Sequence, residues 1–412
     1  MTEKIKVKWL SVQRKVVDPK DMPSGTIELW SIPDFDKGSP SYVTRDSIGS
    51  SKKKVFPGDV LLSKIVPHIR RAWIVKESQY PQYASTEWMT FRSEKVLPEY
   101  LQFAMISEEF NAEMLRNANG MGSLKRADPE KVGDQTIALP SLEKQKEIIN
   151  NIQRETDKLS KLLSLKEGIV RRLASYRQSL ITCAVTKGLD PDAPMKDSDI
   201  PWIGSMPASW NKNKISRICS TQSGGTPSSS NKSFYTNGKH PWIRTTDLND
   251  SELFSAPIKI TDQAIQESAC KYVPKNSVLI AMYGGKGTIG KHALLRFPST
   301  INQAVCAVTP NDTLDPEYLY FLAKAYRPFW MIDALSTRKD PNISQEDIKN
   351  WIIPIPPLNE QRQIVTFCQN IQSKVGLINQ KNTKIIKLLS EYRISQISSV
   401  INSQDEQWLQ LH

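Results

Sequence analysis

Apolar residues recur with a heptad step from Leu142 to Val185, through Ile148, Ile152, Leu159, Leu162, Ile169, Leu173, Tyr176 and Leu180, with charged residues on the other faces. That period predicts one long amphipathic helix. A closely similar seam through Ile364, Cys368, Ile371, Val375, Ile378, Ile385, Leu389 and Tyr392 predicts a second. Both seams break at the same step, Lys166 and Asn382, where a polar side chain fixes register at some cost in stability. Roughly 43 residues at about 1.5 Å each make a rod of about 65 Å, longer than a small domain is wide. Two such rods separated by a folded segment most economically pair with each other, antiparallel because the connection after the first is short. The expected pairing set is Ile152, Leu159, Leu162, Lys166, Ile169, Leu173 and Tyr176 with Ile371, Val375, Ile378, Asn382, Ile385, Leu389 and Tyr392. The plainer alternative is that each helix packs on its own domain.

The two seams belong to a duplication. Pro140, Leu142, Gln145, Ile148, Gln153, Lys158, Ile169, Leu173, Tyr176, Arg177, Ser179 and Ile181 recur without a gap, 216 positions on, from Pro356 to Ile397. So long a period excludes a solenoid and implies two domain-sized halves. Upstream, Pro98, Glu99, Tyr100, Leu101 and Phe103 are echoed by Pro316, Glu317, Tyr318, Leu319 and Phe321, and the region from Phe56 to Leu62 by that from Val273 to Ile280.

Ahead of each long helix the pattern changes. Short apolar or alternating runs at 26–32, 60–62, 73–75, 278–282 and 304–308, bounded by Gly, Pro, Ser and Asn, predict strands in loop-rich sheets. Helix candidates at 98–117 and 316–335 close these segments. The boundaries read from this pattern are a first globule at 1–139, a long helix at 140–186, a Pro- and Gly-punctuated linker at 187–209, a second globule at 210–355, a second long helix at 356–402 and a tail at 403–412.

Composition narrows the function. The chain has 412 residues, 39% hydrophobic and 24% charged, as in ordinary globular proteins. No run resembles a membrane span or signal peptide, so a cytoplasmic protein with no membrane partner is expected. Five scattered cysteines without metal-ligand spacing read as buried free thiols, and no metal site is expected. The formal charge of +12 favours a polyanionic partner, most simply nucleic acid.

Candidate contacts follow from charge and position. Lys64, His68, Arg70 and Arg71 follow a predicted strand in the first half, and Lys286, Thr288, Lys291 and His292 follow the corresponding strand in the second. Lys and Arg neutralise phosphates and read guanine edges. Gln222, with Arg244, Thr245 and Thr246, offers amide, guanidinium and hydroxyl groups, and Asn302 and Gln303 are suited to bidentate contacts with adenine. Each also has an ordinary reading as turn chemistry. Gly285, Gly287 and Gly290 form G-x-G-x-x-G, but the apolar stretch after them is too short for the helix of a dinucleotide site. No phosphate loop, nuclease-type acidic and Lys cluster, adenine-methyltransferase N-P-P-[YF] string or His-rich cluster is present, and catalytic residues are expected to be none.

The whole arrangement resembles the specificity subunit of type I restriction-modification systems. The resemblance is carried by the repeated helices, introduced by Leu-Pro-Ser-Leu at 139–142 and Ile-Pro-Pro-Leu at 355–358 with Gln145 and Gln361 beyond. The junction is its most specific part: Thr186, Lys187, Gly188, Leu189, Asp190 and Pro191, then Pro201, Trp202, Ile203, Gly204, Pro207 and Trp210. It implies an α+β chain of two loop-rich α/β target recognition domains, each followed by a long helix, the helices forming an antiparallel coiled coil. Each domain would read half of a bipartite double-stranded DNA target. The helices would dock two modification (methyltransferase) subunits, joined by restriction subunits. S-adenosylmethionine, ATP and Mg2+ would be used by those partners, with no cofactor in this chain. The first half departs from the pattern, with only 8–25 where the second has the longer opening 210–239. Two other classes stay open: a coiled-coil scaffold whose globules bind protein, and the recognition part of a fused restriction-methyltransferase.

Overall fold

A computed structural model describes residues 3–120, 125–284, 287–337 and 342–402. It divides into two compact units, Met1–Gly168 with Asn382–His412, and Ile169–Lys381.

In the first unit the strand Val60–Ser63 is central to a three-stranded antiparallel sheet, between Ala72–Ile74 and Trp88–Phe91. All four of its residues are buried, and Val60, Leu61 and Leu62 read as a continuous apolar run. Leu61 joins Trp30, Val55 and Trp88 on one side. Val60 and Leu62 join Tyr100, Leu101, Ile149 and Ile152 on the other. A second sheet sets Thr26–Trp30 parallel to Gln82–Ser85 and antiparallel to Ser41–Thr44, with Lys52–Lys54 on the far side of Gln82–Ser85.

The second unit repeats this plan. Val278–Ala281 lies between His292–Leu295 and Val305–Pro310, and is again buried throughout. His240–Ile243 pairs parallel with Ser299–Ile301 and antiparallel with Ile258–Ile260, and Tyr272–Val273 flanks Ser299–Ile301. The openings match too: Lys4–Lys6 pairs with Thr136–Ala138, as Asn211–Lys214 pairs with Ile352–Ile355. The first half therefore has the opening strand that its sequence did not display.

The helix candidates differ in one respect. In the first unit the helical stretch breaks at Ser107 into Pro98–Ile106 and Glu108–Arg116, because the Ser107 hydroxyl caps the second piece through Phe110 N–H. In the second unit one helix, Pro316–Thr337, continues through Pro328.

The long helices are Leu142–Lys187 and Leu358–Asn402, close to the expected limits. In the first unit Ile149 and Ile152 share a core with Ile397, Val400 and Ile401. In the second, Ile181, Ala184 and Val185 share one with Ile364, Val365 and Cys368. The helices thus pair antiparallel. Most of the expected seam faces inward: Ile152, Leu159, Lys166 and Leu173 of one helix and Ile371, Val375, Asn382 and Leu389 of the other are buried or half-buried. The rest is exposed, Leu162, Ile169 and Tyr176 with Ile378, Ile385 and Tyr392. Their places are taken by the next residues, Leu163, Val170 and Arg177, and Asn379, Ile386 and Arg393, all half-buried. Steps of three and four residues both return to one helix face.

The segment expected as a linker is folded. Met195–Ile200 pairs antiparallel with Gly204–Pro207, and Ile200, Ile203, Met206 and Trp210 are buried in the core of the second unit. Its prolines and glycines punctuate a hairpin whose apolar residues supply the burial. Of the cysteines, Cys270, Cys306 and Cys368 are buried as expected, but Cys183 is exposed.

Candidate nucleic-acid interface

The loop after Val60–Ser63 bears the first set of candidate cations. Val66 and Arg70, at φ 49° and 53°, are both left-handed and bracket a single 3-10 turn, Pro67–Ile69. A β-branched residue adopts that region only when its surroundings impose it. Here Val66 N–H donates to the Lys125 carbonyl at 2.9 Å, Ala127 N–H to that of Lys64 at 2.7 Å, and Asn111 Nδ2 to that of Pro67 at 2.8 Å. The turn leaves His68 and Ile69 exposed and Lys64 and Arg70 half-buried.

Arg71 requires a correction. It is 7% exposed, and its guanidinium holds both oxygens of Asp36 at 2.7 and 2.8 Å, which keeps the Asp36 carboxyl below its usual range. The Asp36 carboxylate is itself half exposed, and the pair braces the turn and neutralises the Arg71 charge. Sequence reasoning missed Lys53, whose amine is drawn down by burial and then by Lys64, and whose Nζ donates to the Trp88 carbonyl at 2.7 Å. The run Lys52, Lys53 and Lys54 was its signal.

In the second unit the corresponding loop is a turn between antiparallel strands. Gly284, Gly287 and Gly290 have φ of 131°, 90° and 73°. Thr288 and Lys291 are half-buried, and Lys286 lies outside the described residues, as does Gly285. The strand His292–Leu295 follows the glycines, where a dinucleotide site requires a helix.

His292, grouped in sequence with these cations, is fully buried. Its Nδ1 lies 3.2 Å from the Gly290 carbonyl and 3.2 Å from the Asp250 carboxylate. Burial lowers its pKa from 6.5 to about 4 against the pull of Asp250, with Lys324 and Arg327 adding to the depression. The unfolded chain takes up this proton below about pH 6.5, the folded unit only below about pH 4. The stability this provides is present above pH 6.5 and is lost as pH falls towards 4, on the order of 3 kcal/mol. His292→Gln is expected to flatten that part of the pH–stability curve of the second unit, as measured by urea unfolding between pH 7 and 4.

A third cluster converges beside this loop. Thr226 hydroxyl bonds to the Gln303 side chain, Tyr283 hydroxyl donates to the Gln303 carbonyl at 2.9 Å, and Asn302 N–H donates to the Ile243 carbonyl at 2.8 Å. Thr226, Gln303 and Tyr283 are exposed, and Asn302 is half-buried with its Oδ1 enclosed and unpartnered. Tyr283 carried no sequence signal beyond its place next to the glycines. Arg244 is half-buried on Asp247, Thr245 is half-buried and Thr246 exposed. Gln222 is turned away, towards the Lys271 and Tyr272 carbonyls at 3.4 and 3.3 Å. Among the described residues no group of three His, Cys, Asp or Glu could hold a metal, and no helix is long and apolar enough to cross a membrane.

The family model described as type I restriction modification DNA specificity domain matches residues 13–166 and again 207–387. A type I restriction enzyme specificity subunit of Escherichia coli is 25% identical over 239 residues, 56% of this chain and 58% of that one. The MjaIX specificity subunit of Methanocaldococcus jannaschii is 28% identical over 193 residues, 46% and 44% of the two chains. The chain spans about half the length of the curated relatives it matches. A solved structure from work on complex assembly and conformational transition of the type I R-M system has the same fold, with a TM-score of 0.67 at 19% identity over 98% of each chain.

Proposed function

Because this chain belongs to the family of type I restriction modification DNA specificity domains, we propose that it reads a bipartite double-stranded DNA target, one half through each unit. Its paired helices hold the two reading domains and dock two methyltransferase subunits, to which restriction subunits add. The chain itself is non-catalytic and cytoplasmic. S-adenosylmethionine, ATP and Mg2+ serve the partners' chemistry.

The observation that carries this reading is a shared strand plan with different loops. The units share a core of three strands in one sheet and four in the other, to which the second adds Cys219–Ser223 and Ser251–Leu253 and the first adds Val16–Val17, yet the loop after the central strand is a strained basic 3-10 turn in one and a glycine turn in the other. That is what two readers of different sequences on one scaffold require. Affinity comes from Lys and Arg against phosphates and falls with salt, and specificity comes from base-edge contacts.

The test maps methylated adenines genome-wide in a host with the complete complex, without this chain, and with residues 195–355 exchanged for another subunit's second domain. The expected exchange product keeps one half of the target and changes the other. A map unaffected by loss of the chain, or a change in both halves, overturns the reading.

A further inference from the structure

In each unit a helix side chain reaches across to a main-chain carbonyl of the loop that follows the central strand. Asn111, 2% exposed in the helix Glu108–Arg116, donates from Nδ2 to the Pro67 carbonyl at 2.8 Å. Arg327, in the helix Pro316–Thr337, donates from Nη2 to the Gly287 carbonyl at 3.0 Å, while Nη1 lies on the Asp250 carboxylate. Both helical stretches open at equivalent Pro-Glu-Tyr-Leu strings, 98–101 and 316–319, and the restraint comes from a different position and a different side chain in each, Asn111 in the second helical piece and Arg327 in a continuous helix.

The loops need such a device. In the first unit it holds a turn bracketed by left-handed Val66 and Arg70. In the second the glycine turn lies directly on the helix, where a Cβ on Gly290 would fall 2.8 Å from Trp330 Cδ1 and 3.3 Å from Arg327 Cγ. Asp250 gives Arg327 a fixed footing. It has φ 54°, and its carbonyl accepts the Tyr320 hydroxyl at 2.7 Å.

Resting on the reading of these loops as DNA-facing, we propose that Asn111 and Arg327 are positioning residues, each setting the pose of its own unit's loop and so the sequence discrimination at one half of the target. They act through the loop backbone and do not themselves touch DNA. Base-edge hydrogen bonds tolerate displacements of only about 0.5 Å, so an undamped loop loses discrimination before it loses phosphate affinity.

The experiment uses the complete complex and duplexes carrying one wrong base pair in either half, with dissociation constants measured over a salt series. In the unaltered complex each wrong pair weakens binding roughly 10- to 100-fold. Arg327→Lys retains the charge but not the two-pronged reach. It is expected to shrink that penalty to about threefold for the second half alone, with the salt slope unchanged. Asn111→Ala is expected to do the same for the first half alone. Asp250→Asn, which leaves the guanidinium but weakens its footing, reads the second loop independently should Arg327→Lys fail to fold. Unchanged penalties overturn the proposal. So does a uniform loss of affinity with a salt slope lower by about one in the neutral variant Arg327→Gln, which marks Arg327 as a phosphate contact. Absence of sequence-dependent binding by the unaltered complex refutes the functional reading itself.

Discussion

Gly224→Ala is expected to lower the stability of the second unit by about 3 kcal/mol or more. A Cβ there would lie 1.8 Å from the Ile301 carbonyl oxygen, 2.3 Å from its carbon and 2.7 Å from the Asn302 oxygen. These are all backbone atoms, so no side chain can rotate aside. Relief requires the segment to slide off the sheet, and Gly225 is bonded there by its N–H to the Ile301 carbonyl at 3.0 Å and by its carbonyl to Trp242 Nε1 at 3.0 Å. Gly49→Ala in the first unit is the control, since a Cβ meets nothing within 4 Å. Its expected effect is within about 0.5 kcal/mol. Two units do not guarantee a two-state transition, so peptide-resolved hydrogen exchange is the measurement of choice. Equal protection of residues 219–310 in Gly224→Ala and the unaltered chain would refute the close approach.

Gln361→Leu is expected to cost about 3–5 kcal/mol, and Gln145→Leu about the same. Both glutamines are fully buried. Gln145 accepts Leu97 N–H at 2.8 Å and donates to the Lys95 and Pro140 carbonyls, each at 2.9 Å. Gln361 accepts Asp315 N–H at 2.8 Å and donates to the Thr313 and Pro356 carbonyls at 3.1 and 2.9 Å. Each stitches the start of a long helix to the turn that opens an earlier helix of its unit, at Pro98 or Pro316. Leucine fills similar space but removes the partner of three main-chain groups in mostly part-buried surroundings, at about 1–2 kcal/mol each. Glutamate keeps the acceptor but turns a negative oxygen towards two carbonyls. Gln361→Glu is therefore expected to be destabilised at neutral pH and to recover in part on acidification, when the protonated carboxyl can donate to one of the two carbonyls. Thermal melts of the three forms at pH 7 and pH 5 read this directly, and a pH-independent deficit for the glutamate variant would remove the carbonyl contacts as its cause.

The same glutamines show how far the sequence could be read. Their recurrence at one offset located the start of each helix, because a side chain closing three main-chain bonds admits few substitutes. The sheets needed no such identity. Val60–Ser63 and Val278–Ala281 keep Val and Leu at their first two places and differ at the last two, since a buried strand requires only suitable size and burial on both faces. Identity therefore thinned across the globules while the order of their core strands was kept.

The candidate interface was legible only in part. The cations after each central strand could be located, but not whether their charges were free. Asp36, 35 residues away in sequence, occupies Arg71, and the fold encloses His292. Tyr283, Asn111 and Arg327 gave no signal, because each acts through a neighbour that only folding brings near.

By itself the sequence determined the duplication, the two long helices, their polar break at Lys166 and Asn382, the apolar central strands and the basic character of the loops. Those features are local: they follow from the period of apolar residues and from the residue types within a few positions. The tertiary structure decided which side of each helix faces its partner, turning Leu162, Ile169 and Tyr176 outward, and folded 195–207 into a hairpin. It also decided which charges are neutralised and how each loop is held. These depend on residues far apart in the chain competing for the same buried surface and the same hydrogen bonds, and a linear pattern does not record the outcome of that competition.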